Sequence, residues 1–301
     1  MAGKILVVGS LHLDVIVHSS RLPKPDETLL GDKVSYRFGG KGGNQAVAAA
    51  KIDVQVFMAG RIGTDNFGKQ IYDTLSNQNI NLDGLKMVDE ATGMSVALIG
   101  SDGIYSAVVV SGANQTIELS EIAVPDDLTV LVLQNEINTD ANFEIIKKIP
   151  KSTFVILNAA PALTPNKDFF ERIDLLVVNQ LEAKMLLNEE PSIFNNLDTL
   201  RKLQNLGPKE VIITLGADGY TGISKNGEIF SEPGIKVDVL STHGAGDSFV
   251  GTLAAFICKG EPINIAAQYA QASSALHVKT PIDQREKILQ ADIENMFSLN
   301  Q

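Results

Sequence analysis

The chain has 301 residues, 44% of them hydrophobic, and carries 36 acidic against 25 basic side chains for a net charge of −11. That length supports one large core with an elaboration, and the charge repels phosphate backbones and anionic lipid heads, so neither nucleic acid nor a membrane surface is an expected partner. A single cysteine, Cys258, excludes an internal disulfide and points to the reducing cytoplasm.

Residues 1–4 run directly into an apolar, strand-like stretch at 5–8, so no signal peptide is expected, and no apolar run reaches membrane-spanning length. Residues 11–38 hold no helical pattern. Helix-like stretches follow at 44–51 and 67–78, after which residues 94–110 alternate and turn at Asp102-Gly103, a dipeptide suited to a tight hairpin. Apolar runs then recur at 130–133, 154–157, 175–178 and 211–213, interleaved with helix-like segments at 142–148, 182–187 and 197–206, and a last helix is read at 250–258. Runs apolar on both faces suit strands covered on both sides. This alternation predicts an α/β fold, a doubly wound, mostly parallel sheet flanked by helices. The two irregular segments, about 11–38 and 94–112, predict a small antiparallel β lid, and the whole of 1–301 reads as one domain carrying it.

Polar residues cluster just after the apolar runs: Gly9-Ser10 leading to Asp14, Gln134-Asn135-Glu136, Asn158, Asn179 with Glu182, Thr214 with Gly216, and Thr242 before a glycine-rich turn. In open α/β sheets ligands bind outside the carboxyl ends of the strands, where these residues would converge. Solvated loops are polar too, so any one of them alone carries little weight.

Two glycine-rich stretches carry more. In Thr242-His243-Gly244-Ala245-Gly246-Asp247-Ser248-Phe249, small residues let backbone N–H groups at a helix start face a phosphate, and Asp247 stands where a carboxylate could accept a hydroxyl proton. An aspartate in a first helical turn is equally a capping residue. The other, Phe38-Gly39-Gly40-Lys41-Gly42-Gly43-Asn44-Gln45, is neither a P-loop nor a dinucleotide fingerprint. Its glycines could close backbone amides on a polyhydroxylated ligand, with Lys41 and Asn44 as donors; a plain helix-initiating turn is the alternative. A nicotinamide-dependent dehydrogenase would need a glycine fingerprint after the first strand, which residues 9–14 do not supply, while a non-catalytic sugar or nucleotide sensor would have no need to keep Asp247 behind a Gly-Ala-Gly turn. The four histidines show no metal-ligand spacing, and His243 reads as a side chain facing solvent or the nucleotide rim.

Together these residues resemble the ribokinase-like family of carbohydrate kinases, over residues of about 5 to 278. Gly39-Gly40-Lys41-Gly42-Gly43-Asn44-Gln45-Ala46 is similar to the family's N-terminal signature, and 242–249 is similar to its C-terminal one. Supporting matches are Asn179-Gln180-Leu181-Glu182, Thr214-Leu215-Gly216-Ala217-Asp218-Gly219 and Gly112-Ala113-Asn114. The resemblance implies transfer of the γ-phosphoryl group of ATP to a sugar hydroxyl, ribose to ribose 5-phosphate, with another sugar or a nucleoside as the alternative. It makes Asp247 the base and the amides of Gly244, Ala245 and Gly246 the anion hole. Asp14, Gly40, Lys41, Asn44 and Glu136 would bind the sugar. Thr214, Gly216, Gly219 and Gln271, with Asn179, would line the nucleotide site, and Asn179 and Glu182 would organise Mg²⁺. The lid implies a homodimer.

The sequence departs from the family pattern at four places. His12 stands where an asparagine usually precedes the sugar-binding aspartate, and Gln180 where an acidic residue is frequent. Ser241 replaces the aspartate that commonly opens the C-terminal signature, and Lys279-Thr280-Pro281-Ile282 replaces a glycine-containing segment. In the family those last two regions contribute to a monovalent-cation site, so activation by K⁺ is not expected here.

Overall fold

Strand β1 (Lys4–Val8) lies inside the main sheet because its side chains are apolar on both faces. Ile5 and Val7 enter one hydrophobic cluster, Leu6 and Val8 the other, and none of the four is more than 1% exposed. The structure, a computed structural model, describes residues 3–101, 104–164, 166–189 and 197–300. From β1 the chain passes through β2 (His12–Ser19), β3 (Gly31–Gly39), α1 (Lys41–Ala50), β4 (Gln55–Gly63), α2 (Asn66–Ser76), β5 (Ile80–Val88), β6 (Met94–Gly100) and β7 (Tyr105–Val110). There follow β8 (Leu128–Gln134), α3 (Thr139–Lys148), β9 (Phe154–Asn158), α4 (Lys167–Phe170), β10 (Leu175–Asn179), α5 (Gln180–Leu187) and α6 (Leu197–Gln204). Last come β11 (Glu210–Thr214), β12 (Tyr220–Ile223), β13 (Ile229–Glu232), α7 (Ala245–Cys258), α8 (Ile263–Lys279) and α9 (Gln290–Ser298).

The main sheet has the order β13-β12-β11-β10-β9-β8-β1-β4-β5. Neighbours are parallel from β5 across to β11, and only the β11–β12 and β12–β13 pairs are antiparallel. Alternate side chains divide the core. Ile5, Val130, Val132 and Ile156 pack with α1, α7 and α8, whereas Leu6, Leu131, Leu133, Val155 and Leu157 pack with α3, α5 and α6. The doubly wound sheet expected from the five apolar runs is therefore present, with β4, β5, β12 and β13 added at its edges. Periodicity misses β4 because Gly60 and Arg61 interrupt its apolar sequence, although Arg61 is fully buried, one amino group donating to the Gly60 carbonyl and the other pairing with Glu121.

The lid is a separate sheet of order β3-β2-β6-β7, built of two antiparallel pairs, β2 with β3 and β6 with β7, joined by parallel pairing of β2 with β6. The expected Asp102-Gly103 turn lies outside the described residues. Among the described residues, no helix is long and apolar enough to cross a membrane.

One close approach positions the site. A Cβ added at Gly251 of α7 would lie 2.2 Å from the Gln45 carbonyl oxygen of α1, so glycine there and alanines at 46, 48 and 49 let the two helices meet backbone to backbone. Their N-termini are thereby brought side by side.

Candidate active site

Asp247 is in the first turn of α7, which begins at Gly244 in the left-handed conformation (φ 75°). The carboxylate is buried, 9% exposed, and both oxygens are held from α1: Gln45 Nε2 donates to Oδ1 at 3.0 Å and Asn44 Nδ2 to Oδ2 at 3.3 Å. Burial pushes its pKa above the usual carboxylate range against the opposing pull of the Lys41 ammonium and the Gln45 bond. Gln45 is itself fixed, since Nε2 also donates to Asn158 Oδ1 at 3.0 Å and Oε1 accepts from Gln134 Nε2 at 2.8 Å. Gln134 and Asn158 are register partners at the carboxyl ends of β8 and β9. The Asp247 carboxylate thus has its direction set by bonds within the protein itself, as a general base would need.

The turn of 40–43 is wedged against the β1–β2 connection. Gly40 has φ 88°, and a Cβ there would lie 2.7 Å from His12 N and Ser10 O, so the position requires glycine twice over. Gly43 N donates to the Ser10 carbonyl at 3.0 Å. Glu136 Oε2 accepts from Ser10 Oγ at 2.6 Å and from Lys41 N at 3.0 Å, drawing β1, α1 and the end of β8 together. Lys41 is itself in electrostatic reach of three carboxylates: burial alone would lower its pKa, but Asp247, Glu136 and Glu182 outweigh it and raise it.

Asp14 is buried at the root of the lid, and its Oδ2 is 3.2 Å from His243 Nε2. His243 is half exposed, as expected for a side chain facing solvent, and it also reaches across to Asp14, so a hydroxyl ligand approaching Asp14 meets the imidazole too. His12 is buried beside these groups with Nε2 unpartnered among the described residues.

The predicted anion hole also differs in detail. Ala245 N already donates to the Thr242 carbonyl at 3.1 Å, a turn made possible by the left-handed Gly244. Among the described residues, the amides of Gly244, Gly246 and Asp247 have no hydrogen-bond partner, and a Cβ at Gly246 would meet nothing within 4 Å. Open space thus lies against these N–H groups at the positive end of α7.

Asn179 and Thr214 are register partners at the ends of β10 and β11. Asn179 and Glu182 form a capping box for α5, each backbone N–H donating to the other's side chain at 2.8 Å. Burial raises the Glu182 pKa against the pull of that bond and of Lys41. Gly216 and Gly219 both have positive φ, and the Gly219 backbone packs against Glu232 and Gly234. Those residues border a cavity of about 600 Å³ whose wall includes Gln271; its Nε2 donates to the Pro233 carbonyl, while its Oε1 is buried without a partner among the described residues. Roles for Gln45, Gln134 and Asn158 in holding the base were not read from the sequence, although Gln134 and Asn158 stand among the post-strand polar residues.

With this geometry in hand, comparison with known proteins identifies the class. The pfkB family carbohydrate kinase profile matches residues 2–287. The chain belongs to that family and is an ATP-dependent carbohydrate kinase. It is 32% identical over 292 residues to ribokinase of Schizosaccharomyces pombe, covering 91% of this chain and 92% of that one. It is 31% identical over 279 residues to ribokinase of Bacillus subtilis, with 91% and 92% covered. The structure of Arabidopsis thaliana ribokinase complexed with ribose and ATP superposes with a TM-score of 0.91 at 28% identity, covering 99% of each chain.

Proposed function

We propose that this protein transfers the γ-phosphoryl group of ATP to the primary hydroxyl of ribose, giving ribose 5-phosphate. The observation that carries the proposal is Asp247, buried at the free N-terminus of α7 and aimed by Asn44 and Gln45. In this reading Asp14, Gly40, Lys41, Asn44 and Glu136 hold the sugar, and Asp247 accepts the proton of the attacking hydroxyl as the bond to phosphorus forms. The amides of Gly244, Gly246 and Asp247 then face the charge on the transferring group, with Ala245 shaping the turn. Nucleotide binding falls to Thr214, Gly216, Gly219, Asn179 and Gln271, whose buried unpartnered oxygen calls for a donor such as an amino group.

Oxygen donors suit Mg²⁺, and one Glu182 oxygen accepts the Asn179 amide while the other has no hydrogen-bond partner among the described residues, so Asn179 and Glu182 would hold the ion of MgATP, which neutralises phosphate charge when bound. A second reading, another sugar acceptor, is favoured only by His12, buried beside Asp14 in place of the family's usual asparagine.

The lid supports a homodimer. Asp14 directs one face of β2 to the site, and the opposite face carries Val34, Tyr36, Val96, Val108 and Val110, all at least 36% exposed. Light scattering would report a dimer that Tyr36→Asp converts to a monomer. The buried single Cys258 supports a reducing compartment, the cytoplasm.

The deciding assay is ADP release with MgATP against ribose, 2-deoxyribose, hexoses and nucleosides. Selective turnover of ribose supports the proposal. Preference for another acceptor transfers the same mechanism to that sugar, and ligand binding without turnover rejects it.

A further inference from the structure

The family resemblance implies a monovalent cation between the loop at Ser241 and the segment after Val278. The residues present do not fit one. A short 3₁₀ turn, Ile282–Lys287, follows α8 and carries Arg285, which is 7% exposed. Its guanidinium donates to three backbone carbonyls: Nη2 to Ser241 at 2.8 Å, Nη1 to His243 at 2.8 Å and Nε to Thr280 at 3.2 Å. Among the described residues no carboxylate pairs with it, so the positive charge is met by carbonyl dipoles, the donor type an alkali cation would seek.

The fourth contact closes the cluster. Nη1 lies 2.8 Å from His277 Nε2, which is also 2.9 Å from the His243 carbonyl oxygen, so that nitrogen either accepts from the guanidinium or, when it carries the ring proton, donates to the carbonyl. A neutral ring agrees with burial, which pushes the His277 pKa down to about 4. His277 in turn backs the anion-hole turn: a Cβ on Gly244 would sit 3.2 Å from its Nε2. On the other side Lys51 Nζ donates to the Arg285 carbonyl at 2.8 Å, tying the turn to α1, which carries Asn44 and Gln45. One side chain thus braces the loop before α7 against the end of α8, within a turn anchored to the helix that aims the base.

We infer that Arg285 is a built-in cation of this kinase: its guanidinium holds the carbonyls of Ser241, His243 and Thr280, sets the Gly244–Asp247 turn, and replaces a bound alkali ion. It acts as a positioning residue, several residues from the reacting atoms. A K⁺ ion among these carbonyls would have to displace donors already in place and lie beside a fixed positive charge. This inference rests on the reading of that turn as the phosphoryl site.

The test begins with the unaltered protein in buffers whose only monovalent cation is tetramethylammonium. Turnover with the best sugar should not change on adding K⁺, and crystals soaked in Rb⁺ should show no anomalous peak among the three carbonyls. Arg285→Ala should lower kcat by about 10²-fold, the scale of losing one preorganised charge contact, with sugar KM nearly unchanged. Guanidinium or K⁺ added to that variant should restore part of the loss, and Arg285→Lys should retain part of the rate. Strong stimulation of the unaltered protein by K⁺, or a Rb⁺ peak at the carbonyls, would overturn the inference. A variant with normal kcat would do so too. If no sugar is turned over, the kinase reading falls by itself, and the Rb⁺ experiment still decides whether the guanidinium excludes the ion.

Discussion

On the side of the site built by β1, β8, β9 and α1, polar side chains are buried and bonded to one another: Asp247 to Gln45, Gln45 to Gln134 and Asn158, Ser10 to Glu136. On the side assigned above to the nucleotide, Gly216 and Gly246 look into open space, and among the described residues the Gly246 and Asp247 amides and one oxygen of Gln271 have no partner. The first wall is largely finished without a ligand, although Gln134 Oε1 and His12 Nε2 lack partners among the described residues, and in the proposed reading the second is completed by one. The difference follows from chemistry. A proton acceptor must be aimed within tenths of an ångström and kept in low dielectric, whereas phosphates bring their own charge and need only donors pointing outward.

Breaking the finished wall should cost most. Asp247→Asn keeps the shape and the Asn44 contact but cannot accept a proton, and kcat should fall by about 10³-fold or more with ATP binding retained, read by steady-state kinetics and calorimetry. In the proposed mechanism the same carboxyl sets the pH profile. Burial raises its pKa and the base works ionised, so kcat should fall on the acid side with a midpoint above the ordinary carboxylate range. For stability the sign reverses. A raised carboxyl pKa contributes stability below the unfolded value that is lost as pH rises through the folded one, so at pH 8 the wild type bears a buried charge that Asp247→Asn lacks. The variant should melt no lower than the wild type there, and a large drop would show that the ionised form is a structural support.

Gln45→Leu comes next. It removes a donor from Asp247 and takes the partner from Gln134 Nε2 and Asn158 Oδ1 in the interior, so kcat should fall about 10- to 100-fold and stability by about 1–3 kcal/mol, read by kinetics and denaturant melts. Unchanged kcat with lowered stability would reduce Gln45 to a packing residue.

These two residues differ in how far the sequence exposes them. Asp247, Lys41, Asp14 and Glu136 sit beside glycine turns or just past apolar runs, positions where α/β sheets gather ligands, and the five continuous apolar runs mark strands covered on both faces. Gln45 lies inside a helix rich in alanine and glycine, and its partners are 89, 113 and 202 positions away. No local pattern reports such distances. Arg285 is hidden for the same reason, among charged residues of a short 3₁₀ turn that reads as surface. His243 reaching Asp14 joins the C-terminal signature to β2 through space, and the amides beside Ala245 depend on one left-handed glycine. Tertiary closure settles these points, and it leaves no periodic trace.

The smallest effects should come from one substitution made at two glycines of α7. At Gly251 an added methyl meets the Gln45 carbonyl at 2.2 Å, a backbone atom that cannot swing aside, so α7 must move from α1 and carry Asp247 off its donors. Gly251→Ala should lower stability by about 1–3 kcal/mol and kcat by about tenfold, an overpacking cost. At Gly246 the methyl enters empty space on an ordinary helical backbone, so melting should not change, or should rise slightly because alanine favours helix. That space is where phosphate oxygens would approach the free amides, so Gly246→Ala should raise KM for ATP severalfold while sparing KM for the sugar. Equal effects of the two substitutions on ATP and sugar would erase the distinction between a wall fixed by packing and a wall left open for phosphate. A methyl that harms only ATP binding at 246, and only packing and the base at 251, would locate the boundary between them within the first two turns of a single helix.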